Sequence, residues 1–258
     1  MAELIELNKE THSKLGVTAK CELRFAETQH VLKIRAAELG KAACSFPVFF
    51  NKNPGTGTWM LSAVTSLEQG KNLFVDGDTW TATYKPTCLQ TYPLFLMRSS
   101  QDDNAYCIGI DEQSDAFSTE GGEPIFDDSG EPSLHLSKVK AMLEANFEND
   151  IQTHIFSERL EELGLYRSIN INVYYANGNV QTITSLYTID EDRLLELTAE
   201  ELKDLQSRGY LVPLYAILVS IYQVNLLVRK HNQIEGNTEV IQVKLEVARD
   251  VAGAESAL

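Results

Sequence analysis

The sequence lacks the short motifs that identify the common nucleotide-binding and hydrolytic proteins. It has no Gly-x-Gly-x-x-Gly turn, no phosphate-binding loop and no Gly-x-Ser-x-Gly elbow. Gly40-Lys41 and Gly70-Lys71 lack both the upstream glycine and the following Ser or Thr of a phosphate-binding loop. Nucleotide binding by the common routes is therefore disfavoured.

Positive charge is scarce as well. The 258 residues include 22 Lys and Arg against 37 Asp and Glu, which gives a formal net charge of −15. Because such a surface repels phosphate backbones and anionic lipids, we expect no nucleic-acid partner. The hydrophobic share of 43% is nonetheless that of a globular protein, so we expect a sizeable core.

Metal-binding patterns of histidine and cysteine are missing. The five histidines show neither His-x-His nor His-Glu-x-x-His spacing, so we predict no metal site and no cofactor. The cysteines form no Cys-x-x-Cys pair, and we interpret them as small hydrophobic side chains in a reducing compartment. They are Cys21, Cys44, Cys88 and Cys107.

The first residues do not form a secretory signal peptide. Glu3 and Glu6 precede the first Lys, and no apolar segment of the required kind follows. We therefore expect a cytoplasmic protein, while export by a dedicated secretion system stays open.

One long apolar stretch bears on the membrane question. Residues 209–228 carry no formal charge, and Arg229-Lys230 follow them. The length would just span a bilayer, but Pro213, Ser220 and Gln223 interrupt the run, and a buried core helix has the same composition. We expect a core helix over 211–228 and no integral membrane span.

The remaining pattern predicts an α+β fold with an antiparallel, strand-rich N-terminal half. A hairpin is expected from 46–50 and 58–64, and further strands at 72–75, 80–84, 92–97 and 106–110. The second half predicts a helix capped by Ser133, a hairpin around Asn177-Gly178 and C-terminal helices, the first of them opened by a Thr198–Glu201 capping box. Alternation over 241–247 predicts an edge strand.

We expect one domain over residues 1–258. The pattern leaves room for two lobes within this domain, 1–131 and 132–232, with an extra tail at 233–258.

Two groups of residues are candidates for a site. Carboxylates cluster in the irregular acidic loop 111–131, and Asp111, Glu112, Glu123 and Asp127 could act in acid–base chemistry or simply face solvent. Trp80 and Tyr84 could form a platform for a peptide or sugar if they are exposed beside this loop, whereas core packing is the default for such aromatic residues.

Several blocks together resemble the bacterial SapC family. The most distinctive one is Ile110-Asp-Glu112 followed by Gly122-Glu-Pro-Ile-Phe126 and Gly130-Glu-Pro132. The other blocks are Glu38-Leu39 with Ala42-Ala43 and Phe46-Pro-Val-Phe-Phe50, Asn72-Leu-Phe-Val75, Trp80, Tyr84-Lys-Pro86, Tyr92-Pro93, Leu163-Gly-Leu165, Tyr187 with Asp190-Glu191, and Ser220 with Gln223. The resemblance covers roughly residues 1–232.

The resemblance implies an association with bacterial surface layers, from which the family takes its name, and with TonB-dependent receptor systems. It implies no catalytic residues. Our leading hypothesis is therefore a non-catalytic binding or accessory protein that acts with a protein or peptide partner carrying a basic surface.

Two other functions stay open, namely an enzyme that uses the carboxylates of loop 111–131 and a secreted surface-layer component. The alternating tail also leaves room for a homodimer that pairs through a strand edge.

Overall fold

Short strands dominate the first half of the chain, and longer elements the second. The computed structural model describes residues 4–99 and 105–248. The strands are β1 (Ile5–Glu6), β2 (Gly16–Val17), β3 (Val31–Ile34), β4 (Val48–Lys52), β5 (Trp59–Val64), β6 (Val75–Asp76), β7 (Thr79–Trp80), β8 (Phe95–Arg98), β9 (Tyr106–Ile110), β10 (Phe117–Ser118), β11 (Glu123–Pro124), β12 (Tyr166–Tyr175), β13 (Val180–Ile189) and β14 (Val240–Val247).

The helices range from single turns to one of 29 residues. The α-helices are α1 (Lys9–His12), α2 (Cys21–Glu27), α3 (Leu39–Ala42), α4 (Thr87–Gln90), α5 (Leu134–Glu162), α6 (Glu191–Leu195), α7 (Ala199–Ser207), α8 (Leu211–Ser220) and α9 (Val224–Gln233). Two 3-10 helices, Ala36–Glu38 and Ile221–Gln223, lie directly before α3 and between α8 and α9.

The principal sheet takes strands from both halves of the sequence. Its order is β14-β12-β13-β4-β5-β3, and every neighbouring pair is antiparallel. On β12 the side chains of Ile169, Ile171 and Val173 are buried while those between them are half-exposed, as expected for a strand with one covered face. Helices α5, α8 and α9 contribute to the core on this covered face.

Helix α5 belongs to two hydrophobic cores. Its second half adds Phe156 and Leu160 to the core of the principal sheet. Its first half adds Leu136 and Leu143 to a smaller core that also holds residues of the sheet β1-β9-β8 and of the sheet β10-β2-β11. With a rise of 1.5 Å per residue the helix is roughly 43 Å long, enough to serve both cores.

The structure confirms the predicted α+β class and most of the predicted elements. Ser133 caps α5, Thr198 and Glu201 form the capping box of α7, and Asn177-Gly178 connects β12 with β13. Hairpins β4–β5 and β8–β9 form as predicted, although residues 100–104 of the second turn lie outside the described residues. The tail forms the edge strand β14.

Four local predictions are wrong. Residues 81–84 are not a strand, because the chain leaves β7 after Trp80, and of the predicted strand 72–75 only Val75 lies in a strand. Ile151 and Ile155, whose spacing from Leu143 and Leu160 predicts one shared apolar face of α5, are 40% and 37% exposed. The acidic loop is also less irregular than expected, since β10 and β11 both pair with β2.

Close backbone approach explains the glycines of this small sheet. A Cβ on Gly122 would lie 2.6 Å from the carbonyl oxygen of Val17, and one on Gly16 would lie 2.6 Å from that of Gly121. Gly122 also has a φ of +94°, in the region that favours glycine. The composition of the acidic loop therefore reflects the tight pairing of its strands with β2.

The long apolar stretch is the expected core helix on one side only, where Leu214 and Ile217 are buried in the core of the principal sheet. Over Leu211–Gln233 the helix is long and apolar enough to cross a membrane by length and composition, and 28% of its most apolar window is buried. Val212, Tyr215, Val219 and Tyr222 lie on an exposed face. Ser220, one of the polar residues that interrupt the apolar run, is fully buried.

Ser220 ties α8 to the principal sheet. Its hydroxyl accepts a hydrogen bond from the N–H of Val48 (2.9 Å) and donates one to the carbonyl of Ile217 (2.6 Å).

We expect Ser220→Ala to lower the free energy of unfolding by about 1–3 kcal/mol, because the buried N–H of Val48 loses its partner. Chemical denaturation measures the loss. The exposed Ser137→Ala on α5 is the control, and equal midpoints for the two variants would contradict the assignment.

Candidate functional site

The structure places Trp80 and Tyr84 apart from the carboxylates of the acidic loop 111–131. Both rings are half-buried and pack against the core of the principal sheet. The indole N–H of Trp80 donates to the carbonyl oxygen of Tyr84 (2.8 Å), and the hydroxyl of Tyr84 donates to Glu38 (2.7 Å). These contacts hold the two side chains in the packing role that is the default for aromatic residues.

A buried carboxylate lies behind Tyr84. Glu38 is 5% exposed, and besides the Tyr84 hydroxyl it accepts the N–H of Thr87 (2.9 Å), the hydroxyl of Thr87 (2.9 Å) and the N–H of Arg35 (3.0 Å). Burial, and then the hydrogen bond to Glu38, raise the pKa of Tyr84, so the phenol stays protonated. Each oxygen of Glu38 is thus satisfied by two donors, which is the pattern of a structural anchor.

Arg35 extends this network to α5. Its Nε donates to the carbonyl of Asn146 (3.1 Å), its Nη2 donates to Asp150 (3.0 Å), and its Nη1 donates to the hydroxyl of Thr87 (2.8 Å). Arg35 is 7% exposed, so the guanidinium is largely removed from water and depends on these partners.

The four acidic candidates have separate surroundings. Asp111 accepts the N–H of Gln113, and Asp127 accepts the N–H and hydroxyl of Ser129, which lowers the pKa of Asp127. Both carboxylates therefore organise local turns.

The other two acidic candidates are exposed, and each faces a histidine, which is buried in the case of His12. Glu112 lies 3.7 Å from His12 and Glu123 lies 3.3 Å from His135. Glu123 and Asp127 both line an open hollow of about 390 Å³.

A hollow between α2, α4 and the start of α5 collects further titratable groups. It has a volume of about 430 Å³ and contains Cys21, the ion pair of Glu22 with Lys85 (2.8 Å) and the pair Glu123–His135. Burial, and then the neighbouring Glu22, raise the pKa of Cys21 to about 11. A thiol held protonated in this way is a poor nucleophile at neutral pH.

The other thiols and metal chemistry offer no stronger candidate. Burial, and then Glu38, raise the pKa of Cys88 to about 12, and Cys44 is exposed, unlike the small hydrophobic side chain that we expected. Within residues 4–99 and 105–248 no group of three or more His, Cys, Asp and Glu side chains could hold a metal ion.

Sequence reasoning missed an apolar groove of about 690 Å³ between the hairpin β8–β9 and the first half of α5. This volume is within the range of ligand-binding clefts. Its floor and walls are Leu7, Leu96, Tyr106, Cys107, Ile108, Phe126, Pro132, Leu136, Ala145 and Phe147, and its charged rim is Lys140, Glu144 and Glu148.

Two aromatic rings mark one wall of the groove. Tyr106 is 48% exposed, and its ring centroid lies 4.6 Å from that of Phe147. Glu144 and Glu148, one helical turn apart, are exposed, and neither forms an ion pair within the described parts of the chain. Burial, and then the charge of Glu6, raise the pKa of Cys107, which keeps this thiol neutral. The groove therefore offers apolar contact beside two free carboxylates.

Fold and groove together define an α+β protein in which one helix contributes to two cores and borders an apolar groove. A family model described as SapC matches residues 7–227, and the chain therefore belongs to the SapC family. The resemblance read from the sequence is thereby confirmed. No curated protein and no solved structure matches the chain.

The Glu38 network generates a prediction about stability. In Glu38→Gln one of the two acceptor oxygens becomes an amide that cannot accept, and Arg35 loses part of its counter-charge. We expect a loss of about 2–4 kcal/mol in the free energy of unfolding. Chemical denaturation checks this against Glu235→Gln, an exposed control, and an unchanged midpoint in Glu38→Gln would refute the anchoring role.

Proposed function

We propose that the protein is a non-catalytic binding protein that takes an apolar segment of a protein or peptide partner into the groove between β8–β9 and α5. The observation that carries this proposal is the combination of an open apolar groove with two unpaired carboxylates along one rim. An apolar cleft with a few polar groups at its edge is the usual form of a recognition site.

Charge selects the chemistry of the partner. Glu144 and Glu148 lie on the rim, and the whole chain has a formal net charge of −15. A basic residue next to the apolar segment would meet these carboxylates, and the surrounding field would speed its approach. We therefore propose a partner that carries Lys or Arg beside one or two large apolar side chains.

The polar clusters support binding over catalysis. Glu38 is saturated by donors, and Cys21 and Cys88 have raised pKa values. Acid–base catalysis favours a pair of groups whose environments drive their pKa values apart in one cleft. The hydrogen bond from the Ser129 hydroxyl lowers the pKa of Asp127, which lies on an exposed turn.

A block of the groove tests the proposal. Ala145 is exposed on α5 and lines the groove, so Ala145→Trp fills it without disturbing a buried side chain. Peptides would be selected from a random display library on the wild-type protein and their affinities measured by calorimetry. We expect Ala145→Trp to weaken binding at least about tenfold, since the apolar contact is lost. Gln152→Trp, on an exposed part of the same helix, is the matched control.

Two results would contradict the proposed peptide site. Selected peptides that bind Ala145→Trp as tightly as the wild type would place the site elsewhere. A groove that takes up a small apolar fluorophore but selects no peptide from the library would overturn the assignment of a peptide partner.

The rim carboxylates generate a separate prediction. We expect selected peptides to contain Lys or Arg, and their affinity to fall as salt rises, because exposed charge pairs are screened. The double variant Glu144→Gln, Glu148→Gln should flatten this salt dependence, while Glu235→Gln should leave it unchanged. Titrations at low and high salt provide the measurement, and equal slopes for the double variant and the wild type would remove the electrostatic part of the proposal.

A further inference from the structure

Within residues 4–99 and 105–248, the outer edge of β14 is unpaired for most of its length. β14 is the last strand of the principal sheet, and among the described residues no strand pairs with its outer side. The N–H of Ala248 donates to Ser168 on β12 (3.0 Å). Because backbone groups alternate in direction along a strand, Val243, Leu245 and Val247 turn their N–H and C=O groups away from β12, toward the free edge.

The start of the same strand is closed. The side chain of Asn232 on α9 accepts the N–H of Val240 (2.8 Å) and donates to its carbonyl (2.9 Å). Any strand that pairs with β14 must therefore use the part that follows the bulge at residues 240–242.

Two apolar side chains of β14 lie on the covered face of the principal sheet but remain partly exposed. Leu245 and Val247 lie opposite Ile171 and Ile169 of β12, which are buried, so all four side chains share the covered face of the sheet. Leu245 is nevertheless 36% exposed and Val247 60% exposed. A further strand on this edge would continue the apolar face and cover both side chains.

The other face of the open segment is charged with alternating sign. Glu246 accepts a hydrogen bond from Asn172 (3.0 Å), and the ammonium group of Lys244 lies 5.2 Å from the ring centroid of Tyr174. Since both charged side chains lie on the polar face, neither crosses the free backbone edge.

We propose that β14 pairs antiparallel with β14 of a second copy of this chain, with Leu245 opposite Leu245 on the two-fold axis. Lys244 of each copy then lies opposite Glu246 of the other, which places two ion pairs on the polar face. Val243 lies opposite Val247 on the apolar face. Leu245, Val243 and Val247 exchange the backbone hydrogen bonds that they direct outward, and the two principal sheets become one.

The charge pattern selects this register among its neighbours. A shift that centres the axis on Lys244 or on Glu246 places like charges opposite each other, which is unfavourable. A shift that centres it on Val243 places Glu246 opposite Val240, whose backbone groups already bond to Asn232. Leu245 is thus the centre at which backbone direction, apolar contact and charge agree.

Charge reversal tests the dimer and its register together. Sedimentation equilibrium would measure the dimer dissociation constant of the full chain. Lys244→Glu creates two Glu–Glu pairs and Glu246→Lys creates two Lys–Lys pairs, and we expect each to weaken the dimer at least about tenfold. The double variant Lys244→Glu, Glu246→Lys restores two opposite-charge pairs in this register, and its dissociation constant should return to within about threefold of the wild type.

Controls keep the result specific. Lys203→Glu makes the same charge change on the exposed surface of α7 and should leave the dissociation constant unchanged. In the wild type, hydrogen exchange at Val243, Leu245 and Val247 should slow as protein concentration rises, because their N–H groups become bonded only in the dimer.

Three results would overturn the proposal. The first is a wild-type chain that stays monomeric at every concentration, as expected if a strand of another protein occupies the edge. The second is a dimer that survives both single reversals, and the third is a double variant no better than the single ones.

Discussion

Much of the architecture depends on the hydrogen bonds that the buried carboxylate of Glu38 accepts. It receives donors from Tyr84 and Thr87, and the same segment of chain sends Arg35 to α5. A carboxylate and a guanidinium removed from water are stable only while their hydrogen bonds are complete. The network therefore couples the chain before β4, the chain before α4 and the middle of α5, and none of these can shift alone.

This coupling fixes α5 at the point where its burial changes from one core to the other. Leu143 belongs to the smaller core and Phe156 to the core of the principal sheet, while Arg35 contacts α5 between them, at Asn146 and Asp150. A helix held in the middle keeps both ends in register. The groove beside Phe147 therefore has a fixed wall, and a binding surface with a fixed wall loses little conformational entropy when it is occupied.

Local sequence patterns predicted most of the helices and hairpins, whereas contacts between distant segments could not be predicted from the sequence. Ser133 and Thr198 act within one helical turn, and Asn177-Gly178 acts within one hairpin, so the sequence contains the whole cause of each element. Tyr84 instead depends on Glu38, 46 residues away. The groove and the exposed face of α8 likewise arise only when distant elements pack. The sequence does not distinguish an apolar residue that a neighbour covers from one that stays exposed.

The C-terminal strand changes which edge the principal sheet presents. The family match ends at residue 227, and β14 follows it. Without β14 the free edge would be β12, whose covered face carries the fully buried Ile171 and Val173. With it, the edge carries Lys244 and Glu246 on its polar face, and α9 closes its start through Asn232. Open apolar edges promote unspecific pairing, whereas an edge with alternating charge pairs in few registers. β14 thus gives the principal sheet an edge at which the charges of Lys244 and Glu246 limit the registers of pairing.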